Sequence, residues 1–169
     1  MPDKLPLERL LLKDQLDHYR LQRHDFLNHW QVIMGYLQLD KADKALSYMR
    51  KGIDGLEAEQ QIGQIPQETV AAILLSLVIS LHKEEIPVEV ELDTQMKEAN
   101  FWEEFWQEEY GQALYGYTRE SLTDLFERRI GLNEPCVLIQ FKETNHFTCY
   151  LRLWDGERVV WENQFGLRR

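Results

Sequence analysis

The sequence predicts an α+β protein in which an N-terminal helical hairpin is followed by helices that cover one β-sheet. Three observations support this fold class. Apolar residues recur at helical spacing over residues 5–39, a second helical stripe follows after a short polar turn, and three runs typical of strands lie within 136–165. The 169 residues suffice for one compact domain or two small ones. We place the boundary between a domain at 1–65 and one at 66–169.

Residues 5–39 are predicted to form one long helix. Its apolar positions fall within an arc of about 100° on the helical wheel. A helix of this length is about three times the globular average, which favours a bundle or a coiled coil over a surface helix. The apolar stripe consists of Leu12, Leu16, Tyr19, Phe26, Trp30, Ile33, Met34 and Leu37.

A second helix is predicted after Asp40, which is a natural N-cap, with its end marked by Gly63 and Pro66. Gly52 and Gly55 weaken its interior. Because two helices alone cannot enclose a core, we expect the hairpin to pair with a second copy as a homodimeric four-helix bundle. The alternative is that the C-terminal half covers the hairpin within one chain. The second stripe consists of Ala42, Ala45, Leu46, Met49, Ile53 and Leu56.

The C-terminal half begins with a very apolar helix and an alternating strand, predicted over 67–83 and 86–93. Residues 98–130 are predicted to be helical, with a break near Gly111 or Gly116, and their aromatic segment FWEEFWQEEYGQALYGY is interpreted as core packing. Three strands follow at 136–141, 146–154 and 157–165, joined by turns at Asn145 and Asp155-Gly156.

Composition excludes several classes of function. The net charge of −10 and the pI near 5.0 oppose sequence-independent nucleic-acid binding, which needs a basic surface. The longest apolar run, residues 70–81, is about half of what a bilayer requires, so we expect no membrane segment. The N-terminus lacks the layout of a secretory signal, so Cys136 and Cys149 are expected to be reduced and buried in a cytoplasmic protein.

The run RHDFLNHWQ at 23–31 is polar although it lies within the long helix. Taking His24 as zero on the wheel, Asn28 lies near about 40°, Gln31 near about −20° and Gly35 near about 20°, whereas the apolar stripe is centred roughly 130° away. Asp17, near about 20°, extends the same polar strip. His24 is therefore predicted to lie on an exposed flank of the bundle.

An exposed histidine beside a carboxylate can act as a nucleophile. Neutral imidazole is nucleophilic near pH 7, and an adjacent acid such as Asp25 can orient the ring and fix the reactive tautomer. Asn28 and Gln31 can hydrogen-bond a phosphoryl oxygen, and Gly35 leaves room for another backbone. The alternative is a histidine that is merely exposed. Metal binding is not supported, because His24 and Asn28 are not two strong ligands and no HExxH motif is present.

The run RHDFLNHWQVIMGYLQLDKADKALSYM resembles the phosphoacceptor helix of the sporulation initiation phosphotransferases and the dimerisation helix of citrate- and fumarate-type sensor histidine kinases. Residues 66–93 more weakly resemble the linker helix and first strand of the kinase ATP-binding domain. This resemblance implies a dimeric hairpin followed by a degenerate histidine-kinase-like α/β sandwich. It also implies that His24 is phosphorylated, with Asp25 and Asn28 matching its acidic and polar neighbours.

The activity implied by this resemblance is a phosphorelay. The histidine would accept a phosphoryl group from an aspartate of one response-regulator receiver domain and pass it to another. Mg²⁺ would belong to the regulator, and this chain would need no cofactor. We expect Arg23, Gln31 and Gly35 to line the docking face. Arg23 lies at the edge of the apolar stripe, so it either snorkels to solvent or neutralises the incoming phosphoryl group.

The sequence departs from an active kinase at the expected nucleotide site. The segment ALYGYTRESLTDLFERR contains no asparagine for Mg-ATP, and Asp155-Gly156 is all that resembles a glycine-rich box. Autophosphorylation from ATP is therefore not expected. Two alternatives to the phosphotransferase remain: a non-catalytic protein that binds a response regulator or a kinase, and a residual ATP-dependent sensor histidine kinase.

Overall fold

The structure is a computed structural model that describes residues 6–143 and 147–167, and within these residues it contains six α-helices and one four-stranded sheet. The predicted α+β class is confirmed. The helices are α1 (Leu7–Gln38), α2 (Ala42–Asp54), α3 (Glu57–Ile62), α4 (Glu68–Lys83), α5 (Ala99–Phe105) and α6 (Glu108–Arg128). The strands are β1 (Val88–Glu91), β2 (Pro135–Glu143), β3 (Phe147–Asp155) and β4 (Arg158–Leu167).

The hairpin differs from its prediction in two details. Asp40 does not cap α2; it adopts a left-handed conformation with φ of 54°, and Lys41 is the N-cap residue, without a side-chain cap. Asp tolerates this conformation better than most residues, which suits it to the tight turn between α1 and α2. The second helix is also interrupted, because α2 ends at Asp54 and α3 begins at Glu57 after a turn at Gly55.

Helix α4 lies at the centre of the molecule, which explains its apolar sequence. It contacts α1 and α3 as well as α6 and β1. Eight of its sixteen residues are buried, including Ile73, Leu77 and Leu81. Its N-terminus is capped by Gln67, whose Oε1 accepts a hydrogen bond of 2.9 Å from the backbone N–H of Val70.

The sheet has the strand order β1-β2-β3-β4, with β1 parallel to β2 and the other pairs antiparallel. The alternating burial of β3 confirms one covered face. The predicted turn at Asp155-Gly156 is confirmed: Gly156 has φ of 59°, and the Asp155 carboxylate accepts hydrogen bonds from the backbone N–H groups of Asn133 and Glu134. The predicted turn at Asn145 lies outside the described residues.

The predicted break in the helical region 98–130 was misplaced. The helix is interrupted at Trp106 and Gln107, whereas Gly111 and Gly116 both lie inside α6. Gly111 instead allows close packing of α6 on α1, because a Cβ there would lie 2.9 Å from Cδ2 of Leu7. The interpretation of the aromatic segment as core is confirmed for Trp102 and Phe105, which are buried and pack against Phe147.

The two cysteines are free thiols in different environments. Cys149 is buried under the helices, as predicted, whereas Cys136 is only half-buried. Burial raises the pKa of both thiols. Among the described residues, no helix combines the length and the apolar character needed to cross a bilayer.

Candidate functional site

His24 lies in the middle of α1 with its side chain 72% exposed, so the prediction of a histidine outside the core is confirmed. Its Nδ1 is 3.3 Å from Oδ1 of Asp25 and 3.2 Å from Nδ2 of Asn28. These three side chains, predicted to act together, are adjacent. One residue of separation brings Asp25 to the ring, and one helical turn brings Asn28 to it from the other side.

The contact with Asp25 favours one tautomer of His24. A carboxylate only accepts hydrogen bonds, so Nδ1 of the neutral ring must carry the proton for this contact to be attractive. The Asn28 amide can turn its oxygen toward the same proton. The lone pair is then on Nε2, the ring nitrogen that neither neighbour contacts. In this tautomer, Nε2 is the ring nitrogen whose lone pair can attack an external electrophile.

The other predicted docking residues lie along α1, and among the described residues they form no hydrogen bond with the His24 side chain. Gln31 is exposed, and Gly35 is open enough that an added Cβ would meet no atom within 4 Å. Arg23 is exposed and turned away from the polar strip, near about −100° on the same wheel. It interrupts the apolar stripe, between Tyr19 and Phe26.

The apolar stripe of the hairpin is exposed in the single chain. Seven of the eight predicted residues of α1 are exposed, as are Leu46, Ile53 and Leu56 of the second stripe. Phe26 and Trp30 pack edge to face, with ring centroids 5.8 Å apart. An exposed apolar surface of this size on a folded domain is typical of an interaction surface. The exposed residues of α1 are Leu12, Leu16, Tyr19, Phe26, Trp30, Met34 and Leu37.

Comparison with known proteins relates this site to a signalling family. Residues 8–65 match the model of the sensor kinase SpoOB-type alpha-helical domain. Residues 8–65 are therefore similar to a SpoOB-type helical domain. Over 98 residues, the chain is also 30% identical to the sensor protein CitS of Halalkalibacterium halodurans. That match covers 55% of the chain but 18% of the relative's length.

These matches relate the helical hairpin to sensor kinases. The candidate site falls inside the matched segment, and the four-stranded sheet with its helices is consistent with a kinase-like domain after it. The boundary proposed at residues 65 and 66 lies between α3 and α4.

A polar cluster that the sequence did not predict joins the helical hairpin to the C-terminal half. Asp14 of α1 accepts hydrogen bonds of 2.6 Å from Ser76 of α4 and from Arg119 of α6. Arg119 also contacts Ser76 and stacks over the ring of Tyr115, with its guanidinium carbon 4.8 Å from the centroid. These partners are 62 and 105 residues from Asp14 in sequence, so no local pattern signals them.

Two other histidines have structural partners. Nδ1 of His29 lies 2.7 Å from the hydroxyl of Tyr48, which links α1 to α2. Nδ1 of His82 lies 3.1 Å from Oε1 of Glu59, and the charge of Glu59 also acts on His18 of α1. Burial lowers the pKa of His18, with partial compensation by Glu59. Burial is the largest single effect and acts to raise the pKa of Glu59. The hydrogen bond from His82, a backbone hydrogen bond and the charges of His82 and His18 together lower it. Neither His29 nor His82 contributes to the polar strip.

The C-terminal half has an open groove of about 450 Å³ between the N-terminus of α4 and helix α5. Its walls include Trp102 and Trp106, and its charged lining residues are Glu68 and Glu103. A groove with acidic and no basic lining residues repels nucleotide phosphates. It therefore gives no support to ATP binding at this place.

Proposed function

We propose that the chain is a phosphorelay phosphotransferase that carries a phosphoryl group on His24 between receiver domains of response regulators. Asp25 and Asn28 orient the imidazole, and Gln31 and Gly35 contribute to the docking face. The helical segment is similar to sensor kinases. From this similarity we infer one specific activity, transfer in a phosphorelay, and we include its occurrence in sporulation in the proposal.

One observation carries the proposal: His24 is exposed within a segment similar to a SpoOB-type domain, and both of its close neighbours lie at Nδ1. A core histidine would be unavailable to another protein. A histidine with its neighbours at Nε2 would have the more exposed nitrogen protonated. Neither neighbour contacts Nε2, and this supports its proposed role as the nucleophile.

The proposed step is a direct displacement at phosphorus. The lone pair of Nε2 attacks the aspartyl phosphate of the donor receiver, the N–P bond forms, and the bond between phosphorus and the aspartate oxygen breaks. The donor aspartate leaves as a carboxylate. The Nδ1 proton remains on the ring, where the Asp25 carboxylate stabilises the positive charge that develops. Attack by an aspartate of the second receiver reverses the step.

We further propose that two copies associate through the exposed apolar stripes of α1 and α2 as a four-helix bundle. Each protomer would present its own His24, because the polar strip lies on a flank away from the stripe. Mg²⁺ is expected in the carboxylate pocket of the receiver, where it would neutralise phosphoryl oxygens. This chain needs no cofactor of its own for the step.

A transfer assay tests the proposal. The protein is incubated with receiver domains that carry labelled aspartyl phosphate, and separately with labelled ATP, and the same is done with His24→Gln. Label should move from a receiver to the wild-type protein, and it should be acid-labile and alkali-stable, as phosphohistidine is. His24→Gln should take up no label.

The alternatives give different results in the same assay. Label taken from ATP alone would identify a residual histidine kinase. Absence of transfer, with His24→Gln still binding a receiver, would identify a non-catalytic binding protein. Label that persists in His24→Gln would assign the phosphoryl group to another residue and contradict the role of His24.

A further inference from the structure

The charge of this chain is distributed unevenly between its two halves. Residues 1–65 contain nine Lys/Arg and ten Asp/Glu, a net charge of −1, whereas residues 66–169 contain ten Lys/Arg and nineteen Asp/Glu, a net charge of −9. Almost the whole negative charge therefore belongs to the C-terminal half. An approaching acidic protein is repelled by that half and not by the hairpin.

Within the hairpin, three basic residues lie on the same face of α1 as His24. Arg9, Lys13 and Arg20 fall at about −60°, −20° and −40° on the wheel that has His24 at zero. All three are exposed. At about 1.5 Å of rise per residue, Arg20 lies about 6 Å and Lys13 about 16 Å before His24 along the helix. We call these three residues the basic ridge.

The polar strip beyond His24 has a different character. Asn28, Gln31 and Gly35 continue on the same face toward the end of α1, and none of them is charged. His24 therefore lies at a boundary between a basic and a neutral surface. Asp17 is the acidic residue closest to the ridge, and it is paired with Arg20 at 3.2 Å.

The ion pair of Arg20 with Asp17 stabilises α1, but helix stability does not account for Arg9 and Lys13. Arg9 and Lys13 are four residues apart, and like charges at this spacing destabilise a helix by about 0.2–0.5 kcal/mol. Within the described residues, Lys13 belongs to no ion pair. The arrangement is better matched to a negative surface outside the chain.

We propose that the basic ridge is the electrostatic part of the receiver-docking surface, and that it directs the acidic rim of the receiver pocket along α1 onto His24. This inference rests on the proposed phosphotransfer. A pocket that holds an aspartyl phosphate and Mg²⁺ is itself lined by carboxylates, so its rim is negative. The ridge attracts that rim, while the acidic C-terminal half disfavours docking in other orientations.

Charge reversal at Lys13 tests the ridge, and Lys97→Glu is the matched control. Both lysines are exposed and both variants change the net charge by the same amount, but Lys97 lies in the 3-10 turn Thr94–Lys97 of the C-terminal half. Transfer from a panel of receivers phosphorylated with acetyl phosphate is measured at receiver concentrations below saturation, at low and high salt. Binding of unphosphorylated receivers is measured in parallel by titration calorimetry.

At low salt, Lys13→Glu should slow transfer by about tenfold or more and weaken binding. Near 0.5 M salt, the difference in transfer rate from the wild type should shrink to about twofold, because surface charges are then screened. Lys97→Glu should behave as the wild type. Phosphorylation of His24 by phosphoramidate, which needs no docking, should proceed equally in all three proteins.

Three outcomes would contradict the proposed role of the basic ridge. Lys13→Glu and Lys97→Glu could transfer at the wild-type rate, both could lose transfer equally, or Lys13→Glu could lose phosphoramidate labelling as well, which would show an effect on His24 itself. Failure of the proposed function would give a different result. The wild-type protein would accept no label from any receiver of the panel, and the proposed role of the basic ridge would then be contradicted as well.

Discussion

At the residue scale, the two neighbours of His24 orient its ring but supply little energy. The Asp25 side chain is 52% exposed, and ion pairs in such positions contribute about 0.2–1 kcal/mol. In the proposed transfer, the main contribution of this chain would be to fix the tautomer of His24. The larger electrostatic stabilisation of the phosphoryl group would then come from the receiver pocket and its Mg²⁺.

This reasoning predicts a modest effect for Asp25→Asn. Removing the carboxylate should slow phosphorylation of His24 by about two- to fivefold, which corresponds to the energy of an exposed pair. Single-turnover labelling with phosphoramidate measures the rate without a docking step. Asp17→Asn is the control, because Asp17 shares the polar strip but pairs with Arg20. A loss above about a hundredfold would show that Asp25 does more than orient the ring.

Gly35 allows docking and helix stability to be separated. An alanine there would meet no atom within 4 Å, so Gly35→Ala should raise the free energy of unfolding by about 0.5–1 kcal/mol in the protein alone. If Gly35 contacts the receiver backbone, the added methyl should nevertheless slow transfer.

Gly116→Ala is a matched control for that experiment, because Gly116 also lies within a helix with open space around it, but in α6. It should increase stability without a change in transfer. Urea denaturation and receiver-dependent labelling measure the two quantities. If both variants transfer at the same rate, Gly35 does not belong to the docking face.

At the element scale, the sequence predicted the elements whose signal is local. Helix α1 and the three C-terminal strands were found from periodicity, because the apolar residues of α1 recur on one side of the helix and the burial of β3 alternates. The break near Trp106 was missed because neither Gly nor Pro marks it; the chain turns there to bury Trp102 and Phe105 beside Phe147. Asp40 was misread because the same residue type serves both N-caps and left-handed turns.

At the candidate site too, local features could be predicted from the sequence and long-range contacts could not. Exposure of His24 and its contacts with Asp25 and Asn28 depend on neighbours in one helix, so the helical wheel was sufficient. The cluster of Asp14, Ser76 and Arg119 depends on how α1, α4 and α6 pack, and no spacing in the sequence encodes that packing.

The junction of α1, α3 and α4 predicts a dependence of stability on pH. Burial lowers the pKa of His18 below its ordinary value of 6.5, so the folded state binds fewer protons there than the unfolded state. Its contribution to stability is complete above pH 6.5 and is lost as the pH falls. Glu59, whose pKa is also lowered, remains charged in this range, and Lys83 disfavours a second positive charge.

Urea denaturation at pH 7.5 and 5.5 checks this dependence. The wild-type protein should lose stability between the two values, and His18→Gln, which cannot be protonated, should lose less. An equal loss in both proteins would show that another group determines the dependence. His29→Gln is a suitable comparison, because His29 is exposed and bonded to Tyr48.

At the scale of the whole molecule, α1 has three surfaces with different roles. The first surface is internal. Near the start of α1 it packs against the C-terminal half, through residues such as Leu11 and Asp14, and further along the helix it packs against α2 through His29. A second surface is the polar strip with His24. The third is the exposed apolar stripe, which runs the length of α1 and is interrupted by Arg23. One helix thus separates internal packing, the proposed chemistry and the proposed dimer contact.

The apolar stripe predicts that the protein is a dimer at micromolar concentration and that Trp30→Glu dissociates it. Trp30 is 49% exposed in the single chain, and burying such a side chain contributes about 1.5–3 kcal/mol. The substitution removes this contribution from both protomers and adds two carboxylates to the contact, so the dissociation constant should rise by at least about a hundredfold. Sedimentation equilibrium measures both proteins directly.

Val159→Glu, at an exposed apolar residue of β4, should leave the dimer intact. A wild-type monomer would contradict the bundle, but it would leave the nucleophilic role of His24 open to its own test, because the ring and its two neighbours belong to a single helix.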